Sequence, residues 1–345
     1  MDHPIIPLLT TLMSTPSTTA HESPIGLLLQ SHLLSLGYTV ERIPIAPSSP
    51  RHNIYAYLGS SRQTRILLTA HMDTVSPHIP PTISPNRIHG RGSSDDLGPL
   101  AAQIFAFESL RSSGQIAEGD VALLFVVGEE NGGAGMIAAN EMGITWEAGI
   151  FAEPTESMLA RGHKGQVAFE VTVQGKACHS GYPERGKSAT STLVKLLGEL
   201  ERQEWGVCEV LGHATFNIGA VEGGEAHNIV AGRARAVCEV RVVDGGLDDT
   251  TKKVERIVGG YEGVELKWMF EYPEVMLEWE IEGFESQAVA FGTDVPRLKE
   301  DLCGRRVLYG PGSILVAHGP DEFIAVDELV ESIEGYKKLV LHFLK

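Results

Sequence analysis

The chain has 345 residues, 43% hydrophobic and 21% charged, the composition of a globular protein able to bury a sizeable core in one large domain or two ordinary ones. Its 28 basic against 45 acidic residues leave a net charge of −17, which argues against nucleic acid or an anionic membrane as partner, since both require a basic face. Four widely spaced cysteines without C-x-x-C argue against a disulfide framework, no apolar stretch is long enough to span a bilayer, and the proline-broken start MDHPIIPLLTTLMS lacks the basic region of a signal peptide, so the cytosol is the expected compartment.

In chain order, residues 24–36 carry leucines and isoleucine at near-helical spacing and predict a helix. TVERIPI and NIYAYLG alternate as strands do. RILLTA (65–70), VALLFVV (121–127) and GIFA (149–152) are short, β-rich apolar runs, typical of strands covered on both faces. Between them, GPLAAQIFAFESLRSSG (98–114) is helix-periodic and ends on a glycine. Strand–helix–strand alternation of this kind predicts an α/β sheet with helices on its faces. From Gly165 the texture changes to strand, helix, strand, strand, helix, strand, ending at VELKWMFEY; this is the βαββαβ order of a ferredoxin-like α+β module. AVAF, RRVLYG and a helix over 327–344 then resume the first style. The expected organisation is a main domain of residues 1–164 and 274–345 with residues 165–273 inserted in it.

Five separated clusters follow apolar runs: HMDTV from His71, GRGSSDD from Gly90, GEENGG from Gly128, AEP from Ala152 and AHGPDE from Ala317. Each alone is weak; a single His-x-Asp pair or Glu-Glu run is more often an ordinary strand end or a solvated charge run. Together they supply the imidazoles and carboxylates of a two-metal hydrolytic site. In open α/β sheets such turns converge at the carboxyl ends of the strands. Amide hydrolysis needs an activated water and a polarised carbonyl, which a pair of ions supplies, and imidazole with carboxylate suits zinc, or cobalt or manganese in its place. No G-x-S-x-G elbow, P-loop or G-x-G-x-x-G is present, so nucleophilic and nucleotide chemistry have no foothold.

In their order, HMDTV, GRGSSD, GEE, AEP and AHGPDE resemble the co-catalytic zinc peptidases and deacylases, the family of acetylornithine deacetylase, succinyl-diaminopimelate desuccinylase, aminoacylase and glutamate carboxypeptidase. The resemblance spans nearly the whole chain. HKG at 163–165, HSGYPERG at 179–186 and GPGSILVAHGPDE at 310–322 most resemble acetylornithine deacetylases. It implies an inserted domain that acts as lid and dimerisation domain, and two zinc ions. By the same resemblance His71 binds one metal, with Asp73 holding its ring; Asp95 bridges both ions; Glu130 and His318 complete one metal and Glu153 the other; Glu129 is the general base. A cis peptide is implied between Asp95 and Asp96.

His179 is implied to donate to the oxyanion of the tetrahedral intermediate and, in a homodimer joined through the inserted domain, to reach the partner's active site. Asn228 and Arg241 match positions that contact the substrate. Gly312 and Ser313 in the GPGS turn are expected either to offer backbone N–H groups to a substrate carboxylate or to form an ordinary tight turn. The expected substrate is an N-acyl amino acid of the acetylornithine type, with a dipeptide or a carboxypeptidase substrate as the alternative, and a non-catalytic amino-acid-binding or partner-binding relative as the alternative of another class. The sequence departs from the family in two places. Asp96 and Leu97 stand where an apolar residue and a lysine are usual, and the connection 274–286 is brief and acidic where relatives carry a longer segment with a helix.

Overall fold

The computed structural model describes residues 3–345. The chain forms two compact units: the larger takes the chain up to Ala160, Leu277–Gln287 and Thr293–Lys345, and the smaller takes Arg161–Met276 and Ala288–Gly292. Residues 288–292, expected with the larger domain, group with the smaller. Lys164 N–H donates to Val289 O at 3.4 Å, and Gly292 lies under Tyr272 so closely that a Cβ there would sit 1.7 Å from the phenol oxygen.

The larger unit is built on a six-stranded sheet in the spatial order Thr39–Pro44, His52–Tyr57, Val121–Val126, Ile66–His71, Trp146–Phe151, Cys303–Leu308. The last four are parallel, and the first two add an antiparallel pair at one edge. Every position of Ile66–His71 and Val121–Val126 is buried, which explains why these runs are continuously apolar rather than alternating. Helices Leu97–Ser112 and Val326–Leu344 pack on one another, and Phe107, Leu100, Tyr336 and Leu339 join the core they cover.

One further helix, Ile5–Met13, lies in the proline-broken start of the chain, where no helix is expected. Pro4 is its N-cap and Pro7 falls in its first turn, where an N–H has no intrahelical acceptor and proline costs little. Ile5, Leu9, Leu12 and Met13 are buried in the core.

The smaller unit is a four-stranded antiparallel sheet in the order Thr215–Gly223, Arg233–Val242, Gly165–Gln174, Val264–Tyr272, with helices Ala189–Glu201 and Gly246–Gly259. That is the ferredoxin-like arrangement. Ser188 caps the first helix by accepting from Ser191 N–H. Leu193, Leu196 and Leu200 on that helix share a core with Val167, Phe169 and Val240 of the sheet.

Candidate metal centre

Three neighbouring parallel strands deliver acids and histidine to one end of the sheet. His71 is the last residue of Ile66–His71, Glu129–Asn131 form a single 3-10 turn just after Val121–Val126, and Glu153 lies two residues beyond Trp146–Phe151. This is the carboxyl-end location where ligands gather in open α/β sheets. Asp95 and Asp96 close the turn that leads into helix Leu97–Ser112, and the peptide between them is cis. His318 arrives from the loop before Phe323–Ala325 with φ of +63°.

The side chains meet on Asp95. His71 Nε2 is 2.9 Å from Asp95 Oδ1, and His318 Nε2 is 3.1 Å from both Asp95 Oδ2 and Glu130 Oε2. One donor atom from each of His71, Asp95 and Glu130 falls within 4.8 Å of the others. Each carboxylate oxygen of Asp95 thus faces a different imidazole, as a bridging ligand requires. Beside this cluster is a cavity of about 10 Å³, the room of one water-sized sphere, walled by His71, Glu129, Glu153 and Asp294.

The charges are out of balance in a way that suits cations. Burial pushes the carboxyls of Asp96, Glu129 and Glu153 well above their usual range, and repulsion from neighbouring carboxylates, Asp95 beside all three, adds to it. Glu130 is raised by burial and by Asp95. Burial also raises Asp95, but hydrogen bonds from His318 and His71 override it and hold its carboxyl well below the usual range. Those bonds, with Glu130, carry the His318 imidazolium up to about 10. Glu130 Oε1, Asp96 Oδ1 and Asp294 Oδ2 are buried without a hydrogen-bond partner. Buried, unpaired carboxylates are costly unless they coordinate metal, so the donor set fits a divalent cation, which His71, Asp95, Glu130 and His318 would hold, with Glu153 on the adjoining cavity wall.

The chain is 42% identical over 344 residues to a Peptidase M20 domain-containing protein of Schizosaccharomyces pombe, covering 99% of this chain and 85% of that protein. It belongs to the peptidase M20 family. This M20 family member is a metal-dependent hydrolase of the metallopeptidase type. Residues 161–260 match the peptidase dimerisation domain and residues 53–148 match peptidase family M28. The M20 chain is also 38% identical over 376 residues to a probable carboxypeptidase of Aspergillus flavus, covering 98% of this chain and 90% of that one. In fold it resembles a tripeptidase from Staphylococcus aureus, with a TM-score of 0.82 over 98% of both chains at 22% identity.

Several site residues of this M20 chain stand differently from expectation. His71 Nδ1 is held by the backbone oxygen of Asp73 at 2.9 Å, not by its carboxylate, whose nearest oxygen is 3.7 Å away. The Asp73 carboxylate is occupied elsewhere. It accepts from the N–H groups of Gly128, Glu129 and Glu130 and from the Thr19 hydroxyl. Asp73 therefore holds the turn that carries the two glutamates. Gly128 sits there with φ of +77°, and a Cβ on it would fall 2.7 Å from Arg51 Nη2. Asp96 is fully buried and accepts from His71 N–H at 3.1 Å, fastening the strand end that presents the imidazole.

The Gly312 N–H is not open to a substrate carboxylate, and carboxylates already flank the Ser313 hydroxyl beside it. Gly312 N–H donates to Glu328 Oε1 at 2.8 Å and the Ser313 hydroxyl to Glu156 Oε1 at 2.7 Å. A carboxylate brought there would meet two others. In the smaller unit, His179 and Asn228 are neighbours: His179 pairs with Ile229 across two short strands and Ser180 N–H donates to Asn228 O at 3.0 Å. Gly181 N–H donates to His179 Nδ1, which leaves Nε2 to carry the ring proton on an exposed side chain. Arg241 is tied through Nε to Glu239 at 2.7 Å, so its charge is partly answered within the strand.

Asp294 is the wall residue that no sequence pattern marks. It stands three residues after the short run AVAF and belongs to no ligand motif. Burial and the charge of Asp73 push it up to about 7, against His71 and Arg297, which lower it. A raised carboxyl binds its proton more tightly in the folded chain. Its stabilisation is therefore complete below the unfolded value near about 4 and is lost as pH rises through the folded value. The metal-free protein is expected to melt at progressively lower temperature from pH 5 to pH 8. The Asp294→Asn substitution is expected to flatten that loss and raise the melting temperature at pH 8. Calorimetry in chelator checks both; equal slopes for the two proteins would contradict the account.

Proposed function

We propose that this chain is a cytosolic two-zinc hydrolase that cleaves the linear amide on the amino side of a residue with a free α-carboxylate. The observation that carries the reading is the meeting of His71, Glu130 and His318 on Asp95, with Glu129 and Glu153 on the adjoining cavity wall. Bound divalent ions, zinc or in its place cobalt or manganese, polarise the scissile carbonyl and acidify water. The chain's own groups do the rest. Glu129 takes a proton from the attacking water and passes it to the leaving amine. His179, with its proton on Nε2, steadies the oxyanion. Asn228 and Arg241 are the substrate contacts retained in this reading; Gly312 is withdrawn from it because its N–H is engaged, and Ser313 because the carboxylates of Glu156 and Glu328 already stand at that turn. The chain acts as a homodimer joined through residues 161–260, in which His179 serves the partner's site.

The similarity to probable carboxypeptidases favours a peptidyl or aminoacyl group on the acyl side. The deacetylase-like HKG and GPGSI segments support the second reading, removal of a small acyl group from an N-acyl amino acid. Retention of Glu129 and the five ligand candidates weighs against a non-catalytic relative. Initial rates of the zinc-loaded protein on matched N-acetyl amino acids, dipeptides and N-blocked dipeptides separate the readings. Faster turnover of the peptides is expected. Exclusive turnover of the acetyl compounds would overturn the peptidase reading, and turnover of neither class would overturn both.

A further inference from the structure

Asp95 and His318 come from opposite ends of the larger unit's sequence, and a second pair of residues in the same two segments joins them. Glu322 and Arg91 are buried, with relative exposures of 0% and 2%. Arg91 Nη1 donates to Glu322 Oε2 at 2.5 Å. The other oxygen of Glu322, Oε1, accepts from three backbone N–H groups of the turn that carries the bridging aspartate: Gly92 at 3.0 Å, Ser94 at 3.1 Å and Asp95 itself at 3.2 Å. Arg91 Nη2 donates to His318 O at 3.1 Å. Ser94 Oγ donates to Phe323 O, and Gly90 N–H to Glu322 O.

The consequence is mechanical. His318 holds a left-handed backbone, which a residue with a Cβ seldom adopts without support. Arg91 grips the carbonyl of that residue. Glu322 grips the amides of the Asp95 turn, as an anion seated in a nest of N–H groups does. Each residue of the pair thus fastens one candidate ligand, and the charge-assisted bond between them fixes one fastening to the other. Glu130, the third member of the cluster, is positioned separately through Asp73.

We propose that Arg91 and Glu322 form a buried latch that sets the position of His318 against Asp95, and so governs occupancy of the ion on the His318–Glu130 side. They are positioning residues and touch neither substrate nor ion. The inference rests on the two-metal reading above.

The test uses the full chain and Zn2+ or Co2+ alone as probe. Glu322→Gln keeps the shape and one acceptor oxygen but removes the negative charge. Arg91→Lys keeps the positive charge but loses the second donor arm. Calorimetric titration of wild type is expected to show two ions. In both variants one ion is expected to bind about 10–100-fold more weakly, the range found when groups supporting metal ligands are changed. The other ion is expected to be unaffected, the visible Co2+ spectrum to change, and kcat to fall more than KM changes. Combining the two substitutions is expected to add little to either. Unchanged affinity and spectrum in both variants, beside a wild type that binds two ions, would overturn the latch alone. A wild type that binds none would overturn the metal reading and the latch with it. Loss of the folded state in both variants, seen by circular dichroism, would also count against the latch, because it would assign the pair to the stability of the unit at large.

Discussion

Replacing Glu129 with glutamine is expected to lower kcat by about 10²–10⁴-fold, the usual contribution of a positioned general base, with metal content and KM close to wild type. The reasoning separates the two adjacent glutamates. Glu130 reaches His318 at 3.1 Å and belongs to the donor cluster. Glu129 lies on the cavity wall with Glu153 and Asp294. Burial and the neighbouring charges of Asp294 and Glu130 favour its protonated form over the unperturbed carboxyl, which suits a group that must accept a proton and deliver it. Glutamine keeps the volume and removes the acceptor while leaving every candidate ligand in place. Single-turnover rates together with elemental analysis of the same samples check this. Unchanged turnover would mean that another group takes the proton.

The Asp95→Asn substitution is expected to act differently and more broadly. Each oxygen of Asp95 faces an imidazole, and an amide in its place presents an N–H₂ to one of them. The substituted protein is expected to hold fewer than one ion per chain and to lose turnover altogether. It is also expected to be less stable than wild type when both are stripped of metal. Asp95 is depressed in the folded chain, so its contribution is present above the unfolded carboxylate value and is lost as pH falls through the folded one. Breaking a buried pair of this kind costs about 3–5 kcal/mol. At neutral pH this shift is opposite in sign to that of Asp294→Asn. Thermal melts of both variants in chelator therefore distinguish a residue that binds imidazoles from one that crowds other acids. Equal and same-signed shifts would contradict the electrostatic account.

How much of this was legible in the sequence follows from what each residue depends on. The strands of the larger unit were readable because burial on both faces removes polar residues from the run, and His71, Glu129, Glu130 and Glu153 were readable because they end such runs. Asp95 and His318 follow no central strand so directly; the clusters GRGSSDD and AHGPDE pointed to their segments, and only the resemblance gave the two residues their roles. The ferredoxin-like order survived intact, since its strands alternate and its helices are amphipathic. Asp73 was misread in detail. Sequence spacing places its carboxylate two residues from His71, but only three dimensions show that the backbone amides of residues 128–130 come closer. Gly312 was misread for a similar reason, because the acceptor of its N–H, Glu328, is distant in sequence, as is Glu156, which takes the Ser313 hydroxyl. Asp294 and the Arg91–Glu322 pair carry no periodicity at all. Arg91 and Glu322 lie within the clusters GRGSSDD and AHGPDE, but what all three residues do is set by what the fold brings beside them.

Metal content measured against activity tests the central claim most directly. The purified chain, reconstituted with Zn2+ and freed of excess, should hold two ions by elemental analysis. It should lose turnover of peptide and N-acyl amino-acid substrates as a chelator removes them, and regain it when zinc is returned. Full turnover from a chain shown to contain no divalent metal would contradict the account.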